Sequence, residues 1–256
     1  MGEIIVVSSQ KGGVGKTTTV VNLGTSLAIL GQKTLLLDLD PQGSIANSFN
    51  IDEYKISKGL YEVIVKKLPL AMAVTEIGLE NLEMVPTNVH NEDQEIDLFT
   101  HALKIDLLKT ILKPLKANYD YILIDCPPNL GTLTLNGLVA ADSVIIPVQP
   151  EFYALKALGK FLRSVKKIGS KYNKGLIFKG ILITMFDRRL KKSKEIVAEL
   201  QSTFRDLMFR TVVPRNSRVA EAPAYGKPLA LLDINSPGAI AYFRLAEEIM
   251  SKKVGE

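Results

Sequence analysis

Apolar runs and amphipathic stretches alternate along the whole chain. The segments EIIVVS from Glu3, TLLLDLD from Thr34, LEMVP from Leu82, YDYILID from Tyr119, SVIIPV from Ser143, LIFKGILIT from Leu176 and RTVVP from Arg210 read as strands. Several are continuously apolar rather than alternating, the pattern of strands covered on both faces. Helical periodicity fills the intervals: Thr17 to Leu30, stopped by Gly31; Leu98 to Ala117, broken near its end by Pro114; Phe152 to Ile168; Lys191 to Arg205; and Gly238 to Lys253. This alternation predicts an α/β fold: a mainly parallel, twisted sheet with helices on both faces and right-handed crossovers. No repeat, low-complexity tract or linker interrupts the pattern, so residues 1–256 read as one domain. The stretch from about Asp52 to Asp97 is the least regular and is expected to form loops.

Composition narrows the chemistry. A chain of 256 residues with 46% hydrophobic and 23% charged residues has enough apolar surface for a sizeable core. One cysteine supplies neither a disulfide framework nor a Cys-rich zinc site, and fits a reducing compartment. Cys126 reads as a small buried residue rather than a nucleophile. The two histidines, His90 and His101, leave no set for a His-based metal site or a Ser-His-Asp triad, and surface positions are expected for both. No apolar run approaches the roughly 20 residues of a membrane helix, and no basic region precedes the short apolar run of the N-terminus.

Charge is unevenly placed. From Lys156 to Lys194 there are 13 Lys and Arg against one acid, Asp187, a local +12 that leaves −7 for the rest of a chain of net charge +5. Such asymmetry suggests a basic face for a polyanion, against the alternative of solvated helix faces.

The sharpest signal is SQKGGVGKTTT between the first strand and the first helix. A Gly-rich turn from strand to helix aims successive backbone N–H groups at one anion, and the helix dipole adds to them. Gly12, Gly13 and Gly15 permit close approach, Val14 lies between them, Lys16 would reach the β- and γ-phosphates, and the hydroxyl of Thr17, followed by Thr18, would ligate Mg²⁺. The usual G-x-x-x-x-G-K-[ST] pattern fails at its first position, which is Gln10, and a second lysine, Lys11, follows it.

K-G-G-x-G-K-T of this form resembles the deviant Walker A ATPases of the MinD/ParA superfamily. The resemblance implies a P-loop NTPase that binds ATP and Mg²⁺, with Lys11 reaching the nucleotide of a facing protomer in an ATP-bound homodimer. TLLLDLDPQGS resembles the ParA form of the next motif, which implies that Asp40 positions the attacking water. Asp38 lies two residues earlier on the same side of the strand end, as a second carboxylate near the phosphates or as a loop cap. YILIDCPPNLG resembles the family's Walker B strand, with Asp125 holding Mg²⁺ through water. PVQPEFYALKAL and TVVPRNSRVAEAPAYGKP are also similar to ParA segments, and the second implies adenine contacts from Pro214 and Asn216. The likeness runs from Ile4 to about Met250. Ile234 in DINSPGA and the lysine-rich RRLKKSK depart from it without touching a catalytic position.

Three kinds of relative remain to be separated. A MinD-type membrane switch needs an amphipathic C-terminal helix with a bulky apolar face; FRLAEEIMSKKVGE carries acids there. A nitrogenase-type iron protein needs two cysteines per protomer. A small ATP-dependent synthetase has no use for the +12 stretch. A short, Soj-like ParA is the expected reading: a cytoplasmic, nucleoid-associated DNA segregation ATPase without the helix-turn-helix extension of the larger plasmid forms. Its implied partners are a second copy of itself, double-stranded DNA without sequence preference, and a ParB-type protein that stimulates slow hydrolysis, with no stable membrane binding. The resemblance assigns DNA contacts to Arg189 and Arg218; charge and position add Arg188, Lys191, Lys192, Lys194 and Arg215.

Overall fold

The computed structural model describes residues 2–52 and 55–252. Its strands are β1 (Glu3–Val7), β2 (Thr34–Asp38), β3 (Thr75–Leu79), β4 (Leu82–Val85), β5 (Tyr121–Asp125), β6 (Ser143–Val148), β7 (Ile177–Phe186) and β8 (Met208–Pro214). They form one sheet in the order β3-β4-β2-β5-β1-β6-β7-β8. Every pairing is parallel except that of β3 with β4. The helices are α1 (Lys16–Ile29), α2 (Ser44–Asn47), α3 (Leu60–Ile64), α4 (Glu92–His101), α5 (Leu107–Leu112), α6 (Thr132–Ala140), α7 (Ala154–Tyr172), α8 (Lys191–Phe204), α9 (Ser217–Glu221), α10 (Leu229–Leu232) and α11 (Pro237–Ser251).

The continuous apolar strands are buried on both faces, as their composition predicts. On β1, Ile4 and Val6 enter one core with α4 to α8, while Ile5 and Val7 enter the other with α1 and α11. Successive side chains on a strand point to opposite faces, so one five-residue strand feeds two cores.

Four features depart from the sequence expectation. The long helix expected from Leu98 to Ala117 is two helices, α4 and α5, with the break near residue 104 rather than only at Pro114. Buried Asn136 of α6 bridges that break: its amide accepts from Leu108 N at 3.1 Å and donates to Ala102 O at 2.7 Å. One side chain thus satisfies the end of one helix and the start of the next. Second, α6 has no counterpart among the expected helices. Its residues are buried on nearly all sides, so the sequence carries no amphipathic period there. Third, the irregular region holds the short helix α3 and the antiparallel edge strand β3. Fourth, the basic run is not one face, because Lys179 lies inside the sheet.

Lys179 forms a buried ion pair. Its Nζ donates to Glu3 Oε2 at 2.9 Å and to Lys252 O at 2.7 Å, and Ser143 Oγ donates to Glu3 Oε1 at 2.6 Å. The group ties β1, β6 and β7 to the end of α11. At the outer edge of β8, Glu248 of α11 accepts from Arg210 N at 3.0 Å and from Thr211 N and Oγ1 at 3.1 Å each. That carboxylate occupies edge N–H groups that would otherwise be open to another strand.

Lys179→Met should destabilise the protein by about 3–5 kcal/mol, because it strands the Glu3 carboxylate in the interior. Glu3→Gln combined with Lys179→Met should recover most of the loss. Urea midpoints of the two variants check this; equal destabilisation in both would show that lost packing, not the uncompensated charge, is responsible.

Candidate nucleotide and DNA site

The sheet order sets β5, β1 and β6 side by side, with β2 beyond β5. In the register, Val7 lies beside Asp125 and Asp125 beside Asp38. The loop after β1 therefore opens over two carboxylates at the C-terminal ends of adjacent strands, the position where open α/β sheets bind ligands.

The loop from Ser9 to Gly15 turns through left-handed backbone at Gly13 (φ 71°) and Gly15 (φ 86°), which glycine adopts without strain. Gly15 is the N-cap of α1; no side chain caps the first turn, and no acid lies in it. The free N–H groups and the dipole of a 14-residue helix thus face the loop uncompensated. Val14 is buried, and its carbonyl accepts from Thr184 Oγ1 of β7 at 2.9 Å. Gly12 and Gly13 are exposed, with space where a β-carbon would stand. Lys16 is buried, and Thr17 and Thr18 are half-buried.

Thr17 Oγ1 donates to Asp125 Oδ2 at 2.5 Å, while Asp125 Oδ1 is buried without a hydrogen-bond partner among the described residues. Burial pushes the Asp125 carboxyl up to about 7, against the opposing pull of the Thr17 hydroxyl and Lys16. Asp38 is raised well above the usual range, first by burial and then by the Asp125 charge. Asp38 is a loop clamp: it accepts from Asp40 N and from Ile45 N at 3.0 Å each. Asp40 is half-buried at the mouth of this carboxylate group, and its Oδ1 accepts from Gln42 N at 3.1 Å. Cys126 is fully buried, and burial pushes its thiol well above the ordinary value.

Lys11 behaves unlike Lys16. It is half-exposed, and its Nζ pairs with Glu151 just before α7. Nothing in the sequence pattern singles out Glu151, since an acid after a strand is ordinary. Pro214 ends β8, the outer strand of the sheet, and Asn216 is the N-cap of α9. Phe186 pairs with Pro214, and Arg215 N donates to Phe186 O at 2.9 Å. Asn216 Oδ1 accepts from Arg218 N at 3.0 Å, and its Nδ2 is buried with no hydrogen-bond partner among the described residues.

The same pairing joins two basic loops. Arg188 and Arg189 before α8 and Lys191, Lys192 and Lys194 in its first turn lie beside the loop with Arg215 and Arg218; all seven are exposed. Arg189 forks onto Asp187 at 2.7 and 3.0 Å, Lys192 meets Glu195 at 3.4 Å, and Arg218 meets Glu221 at 3.1 Å. The Arg189 fork holds the Asp187 carboxyl down at about 2. His90 and His101 are exposed.

Comparison with known proteins shows the family. The family model of an AAA domain matches residues 2–178. The chain is 43% identical to the sporulation initiation inhibitor protein Soj of Bacillus subtilis, over 97% of this chain and 98% of that protein. It is 42% identical to the chromosome partitioning protein ParA of Myxococcus xanthus, over 98% of this chain and 89% of that one. The chain belongs to the ParA/Soj family of partition ATPases. A solved structure of cobyrinic acid a,c-diamide synthase from Mycobacterium smegmatis, with a bound ATP analogue and magnesium, superposes with a TM-score of 0.80 at 32% identity, covering 96% of this chain and 93% of that one. The chain thus shares its fold with a protein described as a small-molecule synthase. No helix among the described residues is long and apolar enough to cross a membrane.

The raised Asp125 carboxyl has a consequence for the metal-free protein. Its folded value, about 7, exceeds the ordinary 3.8, so the fold favours the protonated form. The contribution of Asp125 to stability is fully present below about pH 4, declines as pH rises towards 7, and is lost above it. Asp125→Asn should therefore raise the thermal midpoint of nucleotide-free protein at pH 8 in chelator and change it little at pH 4. An equal shift at both pH values would mean that the charge of Asp125 is not what costs stability.

Proposed function

We propose that the chain is a DNA segregation ATPase that binds duplex DNA as an ATP-bound homodimer and leaves it after hydrolysis stimulated by a ParB-type partner. The observation that carries the catalytic part is the contrast between the two lysines of one loop. Lys16 is buried over Asp125, whereas Lys11 is outside, held by a surface carboxylate. A lysine that faces away from its own loop is available to a second protomer.

The residues fit Mg·ATP. The uncapped start of α1 and the loop N–H groups suit the phosphates, and Lys16 stands where β- and γ-phosphate charge would lie. The unpartnered Asp125 Oδ1 and the Thr17 hydroxyl form a donor set for Mg²⁺, Thr17 directly and Asp125 through water. Bound there, the ion would neutralise charge on the phosphate oxygens. Asp40 orients the attacking water from the loop that Asp38 clamps. Lys11 exchanges Glu151 for the nucleotide of the facing protomer and stabilises charge on the transferring phosphoryl group, as an arginine finger does. The free Nδ2 of Asn216 and the ring of Pro214 suit the adenine edge. Phosphoryl transfer asks for positioning and electrostatics, and these residues supply both.

Lys11→Ala should still bind nucleotide but fail to dimerise on ATP, while Asp40→Ala should dimerise and remain in the ATP state. Light scattering with Mg·ATP, beside phosphate release, checks the pair. Normal ATP dimers from Lys11→Ala, or wild-type hydrolysis by Asp40→Ala, would remove the role given to that residue.

DNA binding is assigned to the paired loops bearing Arg189 and Arg218. Dimerisation doubles the patch and raises its effective concentration on one duplex. Arg189→Glu with Arg218→Glu should abolish binding to random-sequence duplex and leave ATP-dependent dimers intact. Titration with Mg·ATP against Mg·ADP is the test. Equal affinity in both nucleotide states, or in the double variant, would refute an ATP-switched DNA surface; rapid turnover indifferent to DNA would favour a small-molecule synthetase.

A further inference from the structure

The fold divides the basic run into three parts. Lys179 is buried with Glu3, five cations from Arg188 to Lys194 join the patch described above, and seven from Lys156 to Lys174 lie on α7 or just beyond it. The third part has no role in the nucleotide site. We propose that the outer face of α7 is a second surface for the phosphate backbone of duplex DNA, separate from the Arg189 and Arg218 loops.

The spacing carries the argument. Lys156, Lys160, Arg163, Lys167 and Lys171 are all exposed, while Leu158, Phe161, Val165 and Gly169 of the same helix are buried. At 3.6 residues per turn the five cations fall within an arc of about 80°, opposite the buried face, and run about 22 Å along the axis. They form a straight rod of positive charge directed into solvent. Lys166 flanks it, also exposed.

The rod has no compensation. Helix α7 contains no Asp or Glu. Among the described residues, none of the five cations lies within ion-pair distance of a carboxylate; Lys171 instead sits 4.8 Å over the Tyr172 ring. Neighbours three or four residues apart repel along the whole stripe, and Lys156 in the first turn opposes the helix dipole. A merely solubilising face carries both signs, as α8 does with Lys192 and Glu195. The stripe also differs from the loop patch, where Arg189, Lys192 and Arg218 each hold a carboxylate that a phosphate must displace. On α7 a phosphate backbone displaces only water and its own counterions.

This surface rests on the reading that the protein binds DNA, but not on the residues assigned there. The test is a charge-reversal variant, Lys160→Glu with Arg163→Glu and Lys167→Glu, beside a neutral variant with Gln at the same three positions. Both keep strong helix formers. Random-sequence duplex is titrated with Mg·ATP across a range of salt, and ATP-dependent dimerisation is followed by light scattering. The reversed variant should bind at least tenfold more weakly at physiological salt and still dimerise. In the neutral variant the slope of log affinity against log salt should flatten by about 0.9 for each phosphate no longer neutralised, or about 2–3 in all. If the reversed protein does not fold, the neutral variant decides by its slope. The Arg189→Glu/Arg218→Glu protein is run in parallel. Weakened binding by the α7 variants with full binding by that double variant would sink the loop assignment and leave the α7 surface standing. Unchanged affinity and slope in the α7 variants would overturn the proposal. So would weakened binding to phosphatidylserine vesicles with DNA affinity untouched, since the stripe would then serve an anionic membrane.

Discussion

Two carboxylates buried side by side, Asp38 and Asp125, constrain the whole site. Burial makes each expensive to ionise, and the charge of Asp125 raises Asp38 further. The protein tolerates them because each has a task. Asp38 accepts from two backbone N–H groups and so fixes the loop that carries Asp40. Asp125 holds the Thr17 hydroxyl and keeps one oxygen free. With Lys16 as the nearby buried cation, the arrangement suits a ligand that brings Mg²⁺ and phosphate together. Such a ligand would offset the cost of burying the two charges.

The phosphate loop depends on the same principle from the opposite sign. An α-helix that begins at a left-handed glycine, with no capping side chain and no acid in its first turn, leaves its N–H groups unsatisfied. The rest of the fold holds that geometry still: Thr184 of β7 fixes the Val14 carbonyl, and β5 and β2 bring the carboxylates beneath. Lys11 is the exception, kept outside by Glu151. Within one protomer its charge is engaged in a surface ion pair, and solvent-exposed pairs are weak, about 0–1 kcal/mol. Exchange of Glu151 for another anion would therefore meet little resistance.

Positive charge is distributed by the sheet as much as by the chain. A local charge of +12 read along the sequence becomes a buried lysine, a loop patch in which several cations are already paired, and a rod on α7 that holds no carboxylate among the described residues. These are three different electrostatic situations. The loop patch gains its geometry from the pairing of Phe186 with Pro214, which sets Arg189 and Arg218 on adjacent loops although 29 residues separate them in the chain.

The amino-acid sequence by itself determined the fold class, the strands of the sheet centre and the phosphate loop. Those depend on local pattern: continuous apolar runs, a glycine-rich turn before a helix, and lysine and threonine at fixed offsets. Asp40 and Asp125 are singled out instead by resemblance to the family's motifs; of the two only Asp125 ends a strand, and Asp40 lies two residues beyond β2. Tertiary structure decided what has no local signature. Helix α6 is buried all round and shows no period, and the break between α4 and α5 depends on Asn136, a residue 28 positions beyond Leu108. The partner of Lys11 is 140 residues away, and that of Lys179 is 176. Whether a lysine is solvated, paired or buried follows from which strands lie side by side, and a charge count along the chain holds no information about that.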